Sequence, residues 1–202
     1  MFWLFVSMGY VSGSILYARV FMKLFHKEEA LALSRDGNPG AANAFQQGGF
    51  GCGLLTLVCD ISKGLLPVHL YMRWSLMTSL AAPQAALILA APVIGHAFPL
   101  FYRFKGGKGI AVTFGCLLGL LPYWQPVVIL AVSFIVLSVI IRVTPHYYRT
   151  LAAYGCALQY MALRLNCPGV VLGFLLISAA VGVRMWMSRE EKERMRIGLW
   201  MH

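Results

Sequence analysis

Acidic side chains are scarce in this 202-residue sequence: seven Asp and Glu stand against 17 Lys and Arg, and charged residues make up only 12%. A soluble domain carries about 25%. With 59% hydrophobic residues and a mean hydropathy of +0.72, the composition excludes a soluble fold and indicates an integral membrane protein. The five cysteines form no CxxC pair and sit mostly inside apolar runs. They read as small packing residues, so neither a metal site nor a disulfide framework is expected. The net charge of +10 is spread over the connections between apolar runs and is not gathered on one polar face, so nucleic acid is not an expected partner. No short apolar stretch with a small-residue cleavage site opens the chain. Met1 to Leu24 is therefore expected to be a retained span and not a removed leader.

Long apolar runs are what the sequence does contain. A bilayer span takes about 20 apolar residues, with roughly 17 to 25 tolerated. The chain divides into seven such runs, approximately 2–24, 50–72, 83–103, 110–122, 125–142, 148–165 and 168–187, followed by a tail at 188–202. The expected fold is an all-α integral membrane protein, a seven-transmembrane-helix bundle with Gly-rich cytoplasmic loops, forming one polytopic domain over residues 1–202. The fourth run is short and Gly-rich, so it is expected to tilt or to stop partway where the bundle protects its ends.

Drawn with seven spans, Lys23, Lys27, Arg35, Arg103, Lys105, Lys108, Arg142, Arg149, Arg184, Arg189, Lys192, Arg194 and Arg196 share one side. Arg73 and Arg164 fall on the other. The positive-inside rule then places the N-terminus outside, and the C-terminus and both Gly-rich loops in the cytoplasm, of a multi-pass cell-membrane protein.

The densest polar chemistry lies between Gly95 and Gly115. Within it, Lys105-Gly106-Gly107-Lys108-Gly109 sets two ammonium groups beside residues without side chains, so backbone amides can approach an anion that the lysines neutralise. Ile110 then opens an apolar run, and a helix starting there adds its positive dipole end. Taken alone, the motif is equally a tight turn with topology charges at a membrane helix end. A second Gly-rich stretch, Gly37-Asn38-Pro39-Gly40 with Asn43, is drawn on the same face, and together the two loops favour phosphate binding.

Other polar residues inside the runs have two readings. Gly13 and Ser14 suit close helix packing. Asp60 and Lys63, one helical turn apart, neutralise each other or face a polar cavity. Arg19 reaches the interface or lines a polar site. Pro67 is expected to kink or loosen the second span. Lys27 to Leu33 reads as a short interfacial helix and Arg35 to Asn43 as a loop. His146, in the turn Thr144-Pro145-His146, reads as a solvated loop histidine, and Ser188 to Arg196 as an exposed helix end near anionic headgroups.

With these residues set out, the chain resembles the acyl-phosphate-dependent glycerol-3-phosphate acyltransferases of bacteria, the PlsY family. The landmarks are Gly13-Ser14-Ile15 with Lys23, Gly37-Asn38-Pro39-Gly40-Ala41 with Asn43, Asp60 with Lys63-Gly64 and Pro67, and Gly95-His96 through Pro99 to Gly109. The resemblance implies a seven-helix membrane fold. It implies transfer of an acyl group from acyl phosphate to the 1-hydroxyl of glycerol 3-phosphate, giving lysophosphatidic acid and phosphate in phospholipid synthesis, without cofactor or metal. Partners are then acyl phosphate, glycerol 3-phosphate and membrane lipids. Candidate catalytic residues on this footing are Lys108, Asp36 and His96. Candidate substrate and phosphate contacts are Ser14, Lys23, Gly37, Asn38, Gly40, Asn43, Lys63, Lys105, Gly106, Gly107, Gly109 and Arg184.

Departures from the family pattern fall at Asp36, Ala42 and Gln46, and at Met185, Trp186 and Ser188, where the family usually shows Ser, Thr, Arg and an Arg-His-x-x-Asn run. Asp36 adds an acceptor-only carboxylate near an incoming phosphate, with Arg35 or Arg19 to offset it. A different acceptor and a non-catalytic scaffold remain open alternatives at this level.

Overall fold

The computed structural model describes residues 1–32, 34, 37–74, 83–188 and 195–198. Among the described residues, ten α-helices carry the fold: α1 (Phe2–Gly13), α2 (Tyr17–Leu24), α3 (Glu28–Ala32), α4 (Ala41–Gly48), α5 (Phe50–Trp74), α6 (Pro83–Ala97), α7 (Ile110–Leu118), α8 (Gln125–Ile135), α9 (His146–Arg164) and α10 (Pro168–Met187). A 3-10 turn at Leu100–Tyr102 follows α6, and a π-helical turn at Val136–Ile140 continues α8. Strands β1 (Val143–Thr144) and β2 (Arg196–Ile197) pair antiparallel, with Val143 opposite Ile197 and Thr144 opposite Arg196.

Helix occupies each of the seven apolar runs. Among the described residues, four segments, Phe2–Leu24, Phe50–Trp74, Pro83–Tyr102 and Pro168–Met187, are long and apolar enough to cross a bilayer, and Gln125–Ile140 is a shorter apolar helix. α7 spans nine residues, in keeping with the short fourth run.

Several local expectations change. The first run is not one helix, because the chain breaks between Gly13 and Tyr17. Pro67 lies within α5, whose helix runs from Phe50 to Trp74, and its kink stands as an expectation. The stretch expected to be loop up to Asn43 already contains the start of α4, where Gly40 supplies an extended N-cap (φ −122°, ψ 170°) ahead of two alanines. Of the tail from Ser188 to Arg196, residues 189–194 lie outside those described, and Arg196 belongs to β2 and not to a helix.

α6 is the central element. It is packed by α1, α5, α7 and α10, and most of its residues from Ala85 to Ala97 are buried. Between helices in lipid there is no hydrophobic driving force, so close backbone approach by small residues carries the packing. A Cβ on Gly13 would collide with the Pro92 carbonyl, and one on Gly95 with the Tyr10 carbonyl, which fixes α1 against α6. Gly64 and Gly115 play the same part between α5 and α7, against the Val112 and Ile61 carbonyls. On the other side of α6, Leu89 and Val93 pack with Phe174, Ile177 and Val181 of α10, and Tyr154 of α9 stacks on Phe174 at 5.5 Å. These contacts bring the C-terminal end of α6, the polar middle of α5 and the N-terminus of α7 together.

Candidate active site

The polar centre begins in α5. Asp60 and Lys63 are 1% and 3% exposed, and Lys63 Nζ lies 2.7 Å from Asp60 Oδ1. The same ammonium donates to the Ile15 carbonyl at 2.5 Å and to His96 Nδ1 at 2.9 Å. An ammonium has three N–H donors, so its capacity is used. The Ile15 carbonyl accepts it because the break between α1 and α2 releases that group from helical pairing, and a freed backbone carbonyl at membrane depth needs a donor. Asp60 and Lys63 thus form a pair, and the pair is built into the bundle through α6 and the first span.

His96, 2% exposed, accepts from Lys63 at Nδ1, which leaves the proton of a neutral imidazole on Nε2. That nitrogen faces the Gly-rich loop, since a Cβ on Gly107 would collide with it. The Gly106 and Gly107 amides, expected to face an anion, instead donate to the Ala97 carbonyl at 3.2 Å and the His96 carbonyl at 3.0 Å. They satisfy carbonyls that the end of α6 would otherwise leave unpaired. Glycine is required at both positions by this close approach. Arg184 of α10 completes the clamp, donating through Nε (2.9 Å) and Nη2 (2.5 Å) to the Gly106 carbonyl. Lys108, 8% exposed, and Gly109, at φ +82°, then turn the chain into α7.

A cavity of about 790 Å³ opens beside this loop. Asn38, Gly40, Ala41, Ala42, Asn43 and Gln46 form one wall; Lys108, Gly109, Ile110, Ala111 and Phe114 form another. Leu57, Asp60, His96, Pro145, His146 and Arg149 close it. Asn43 Nδ2 holds the first wall by donating to the Asn38 carbonyl (2.9 Å) and Ser34 Oγ (3.2 Å). Three helices begin at the cavity, α4 after Gly40, α7 after Gly109 and α9 after Pro145. None of these N-cap residues has a side chain that can accept a hydrogen bond. Helix N-termini present amides and a positive dipole end, so the three together favour negative charge in the cavity.

The family model for glycerol-3-phosphate acyltransferase matches residues 3–198. The chain belongs to this family. Curated glycerol-3-phosphate acyltransferases resemble it closely in part. That of Pseudomonas paraeruginosa (strain DSM 24068 / PA7) is 41% identical over 133 residues, 66% of either chain. That of Pseudomonas syringae pv. tomato (strain ATCC BAA-871 / DC3000) is 42% identical over 122 residues, 60% of this chain and 61% of that one. The chain thus spans a little under two thirds of the length of the curated relatives it matches. Two crystal structures of PlsY (YgiH), an integral membrane glycerol 3-phosphate acyltransferase, share its fold, with TM-scores of 0.74 for the lysophosphatidic acid form and 0.76 for the glycerol 3-phosphate form. Each is 24% identical and covers 91% of this chain and 87% of its own. The fold is that of an all-α, multi-pass integral membrane protein.

The structure brings Asn38, Gly40, Asn43, His96, Lys108 and Gly109 to one cavity. Lys63 sits behind His96, while Gly106, Gly107 and Arg184 shape the loop. Ser14 donates to the Tyr10 carbonyl (2.8 Å) and accepts from the Leu100 amide (3.2 Å), tying α1 to the segment after α6. Gly37, Lys23 and Lys105 are exposed and do not line the cavity. Arg19 lies over the Tyr102 ring at 5.2 Å. Asp36 and Arg35 lie outside the described residues. His146 and Arg149 do line the cavity, and the sequence reading gave neither a site role: one read as a loop histidine, the other as a topology charge. Their spacing of three after a proline at a helix start was the available signal.

Lys63→Met leaves the Asp60 carboxylate buried without its partner, a change that costs about 3 to 5 kcal/mol. Thermal denaturation in detergent should show a large drop in Tm, with part of it regained in Asp60→Asn/Lys63→Met. Equal losses in the single and double variants would show that the two charges are not coupled.

Proposed function

We propose that this chain is a membrane acyltransferase that moves a fatty acyl group from acyl phosphate to the 1-hydroxyl of glycerol 3-phosphate. The observation that carries the proposal is the convergence of three helix N-termini and Lys108 on one cavity that also has an apolar wall. Both substrates carry phosphate, and one carries a fatty chain. Lys108 and the N-terminus of α7 take the donor phosphate, because Ile110, Ala111 and Phe114 follow directly on the same helix and, with Leu57, give the chain an apolar path. The glycerol 3-phosphate molecule occupies the polar side, among Asn38, Asn43 and Gln46. A glycerol 3-phosphate form of PlsY, the fold neighbour, supports this acceptor.

The hydroxyl oxygen attacks the acyl carbonyl carbon, a carbon–oxygen ester bond forms, and the carbon–oxygen bond to phosphate breaks. The hydroxyl proton leaves with the phosphate as hydrogen phosphate. A mixed anhydride is already activated, so no protein nucleophile is needed and catalysis rests on positioning and charge stabilisation. His96, with Nδ1 taken by Lys63, offers Nε2–H as a donor and does not act as a base at that nitrogen. The reaction as written uses no cofactor.

The same reading places all seven apolar runs as spans of one polytopic domain, with the N-terminus outside, the C-terminus and both loops cytoplasmic, and the lipid product released into the surrounding membrane. A C-terminal reporter that works only when exported should be silent; an active one contradicts this topology.

Purified protein should release phosphate from palmitoyl phosphate when glycerol 3-phosphate is added, one lysophosphatidic acid per phosphate. A charge-assisted hydrogen bond is worth about 1.5 to 3 kcal/mol, so Lys108→Ala should raise KM for palmitoyl phosphate about tenfold or more. Lys105→Ala should stay within about twofold, since its ammonium lies off the cavity. No acceptor-dependent phosphate release, or equal effects of the two substitutions, would overturn the proposal.

A further inference from the structure

We infer that Arg149, held in place by His146, binds the phosphate of the acceptor and thereby sets acceptor specificity. The inference rests on the transferase reading above and names a residue that this reading leaves unassigned.

His146 and Arg149 stand one turn apart on the first turns of α9, on the same helix face. Arg149 Nη2 lies 3.0 Å from His146 Nδ1. A guanidinium is always charged and only donates, so His146 accepts at Nδ1 and orients the arginine. Thr150 Oγ1 in turn donates to the His146 carbonyl at 3.0 Å, fixing the start of the helix. Both residues line the cavity, and Arg149 is half-buried there.

Arg149 faces this cavity without a counter-ion among the described residues. The ion pair found there joins Asp60 to Lys63, with the neutral His96 ring 4.0 Å from the same carboxylate oxygen, and it does not involve the guanidinium. Asp60, the carboxylate lining the cavity among those residues, is 2.7 Å from Lys63 and is already neutralised. A half-buried cation at a helix N-terminus, pointed at a cavity that holds no free carboxylate among the described residues, is a site for an anionic ligand.

The apolar wall decides which anion. Ile110, Ala111 and Phe114 run on from Lys108, so the fatty donor lies along α7 with its phosphate at Lys108. Two phosphates in one cavity repel, and each needs its own cation. The acceptor's phosphate therefore falls to Arg149, which lines the same cavity as Asn38, Asn43 and Gln46, side chains that suit its hydroxyls. Arginine also matches phosphate with two parallel N–H donors, which lysine does not.

The test is the binding of glycerol 3-phosphate and, separately, of palmitoyl phosphate to the purified full chain in detergent, with KM for each. Arg149→Gln should raise both Kd and KM for glycerol 3-phosphate by about tenfold or more, the size expected for a lost hydrogen bond to a charged group. Palmitoyl phosphate binding should stay within about twofold, which also shows that the variant is folded. Arg149→Lys should regain part of the loss, because it keeps the charge and not the fork. An unchanged glycerol 3-phosphate Kd in Arg149→Gln, with an active wild type, overturns this assignment alone; so does an equal loss for both ligands. A wild type inert toward glycerol 3-phosphate overturns the transferase reading and this assignment with it.

Discussion

One buried ammonium holds the polar centre of this bundle together. Lys63 reaches a carboxylate on its own helix, a carbonyl released by the break in the first span, and the imidazole of α6. Each contact satisfies a group that would be costly to leave unpaired in an apolar medium. The three together fix α5, α6 and the α1–α2 junction relative to one another. The break in the first span is thus a structural requirement of the charge, because a continuous helix would keep the Ile15 carbonyl for itself.

From that centre the order passes outward to the loop. His96 is held on one ring nitrogen and presents the other to Gly107, while its own backbone carbonyl accepts the Gly107 amide. Arg184 pulls on the Gly106 carbonyl from α10. The loop is therefore tied to α6 through its glycines, and Lys108 follows them at the start of α7. Preorganisation of this kind is what the proposed phosphate site would use, with dipoles and an ammonium already placed before the ligand binds. Close packing through Gly13, Gly64, Gly95 and Gly115 supplies the rigid helices on which the arrangement stands.

Much of this was legible in the sequence, and the exceptions have physical causes. The helical runs could be read because a bilayer imposes length and apolarity on any span. The pairing of Asp60 with Lys63 could be read because charge in such a chain must be compensated, and the place of Lys108 at the cavity follows the Gly-rich loop that singled it out. The glycines of the loop were assigned for their amides, whereas the structure uses their lack of a side chain; the partner, the end of α6, is a tertiary fact. α4 was concealed behind the glycines and proline that precede it. Arg149 was hidden by a sufficient explanation of another kind, the positive-inside rule, and by the roughly 40 residues that separate it from Lys108 in the chain. Only the packing of α9 against the bundle puts them around one cavity.

The account turns on where the donor phosphate sits, and a structure of the full chain with glycerol 3-phosphate and a non-hydrolysable acyl phosphonate measures it directly. The phosphonate is predicted to lie within hydrogen-bonding distance of Lys108 Nζ and the first amides of α7, with the Gly106 and Gly107 amides still bonded to α6. A phosphonate held at Lys105 or Lys23 outside the cavity, or by Gly106 and Gly107 amides freed from α6, would contradict it.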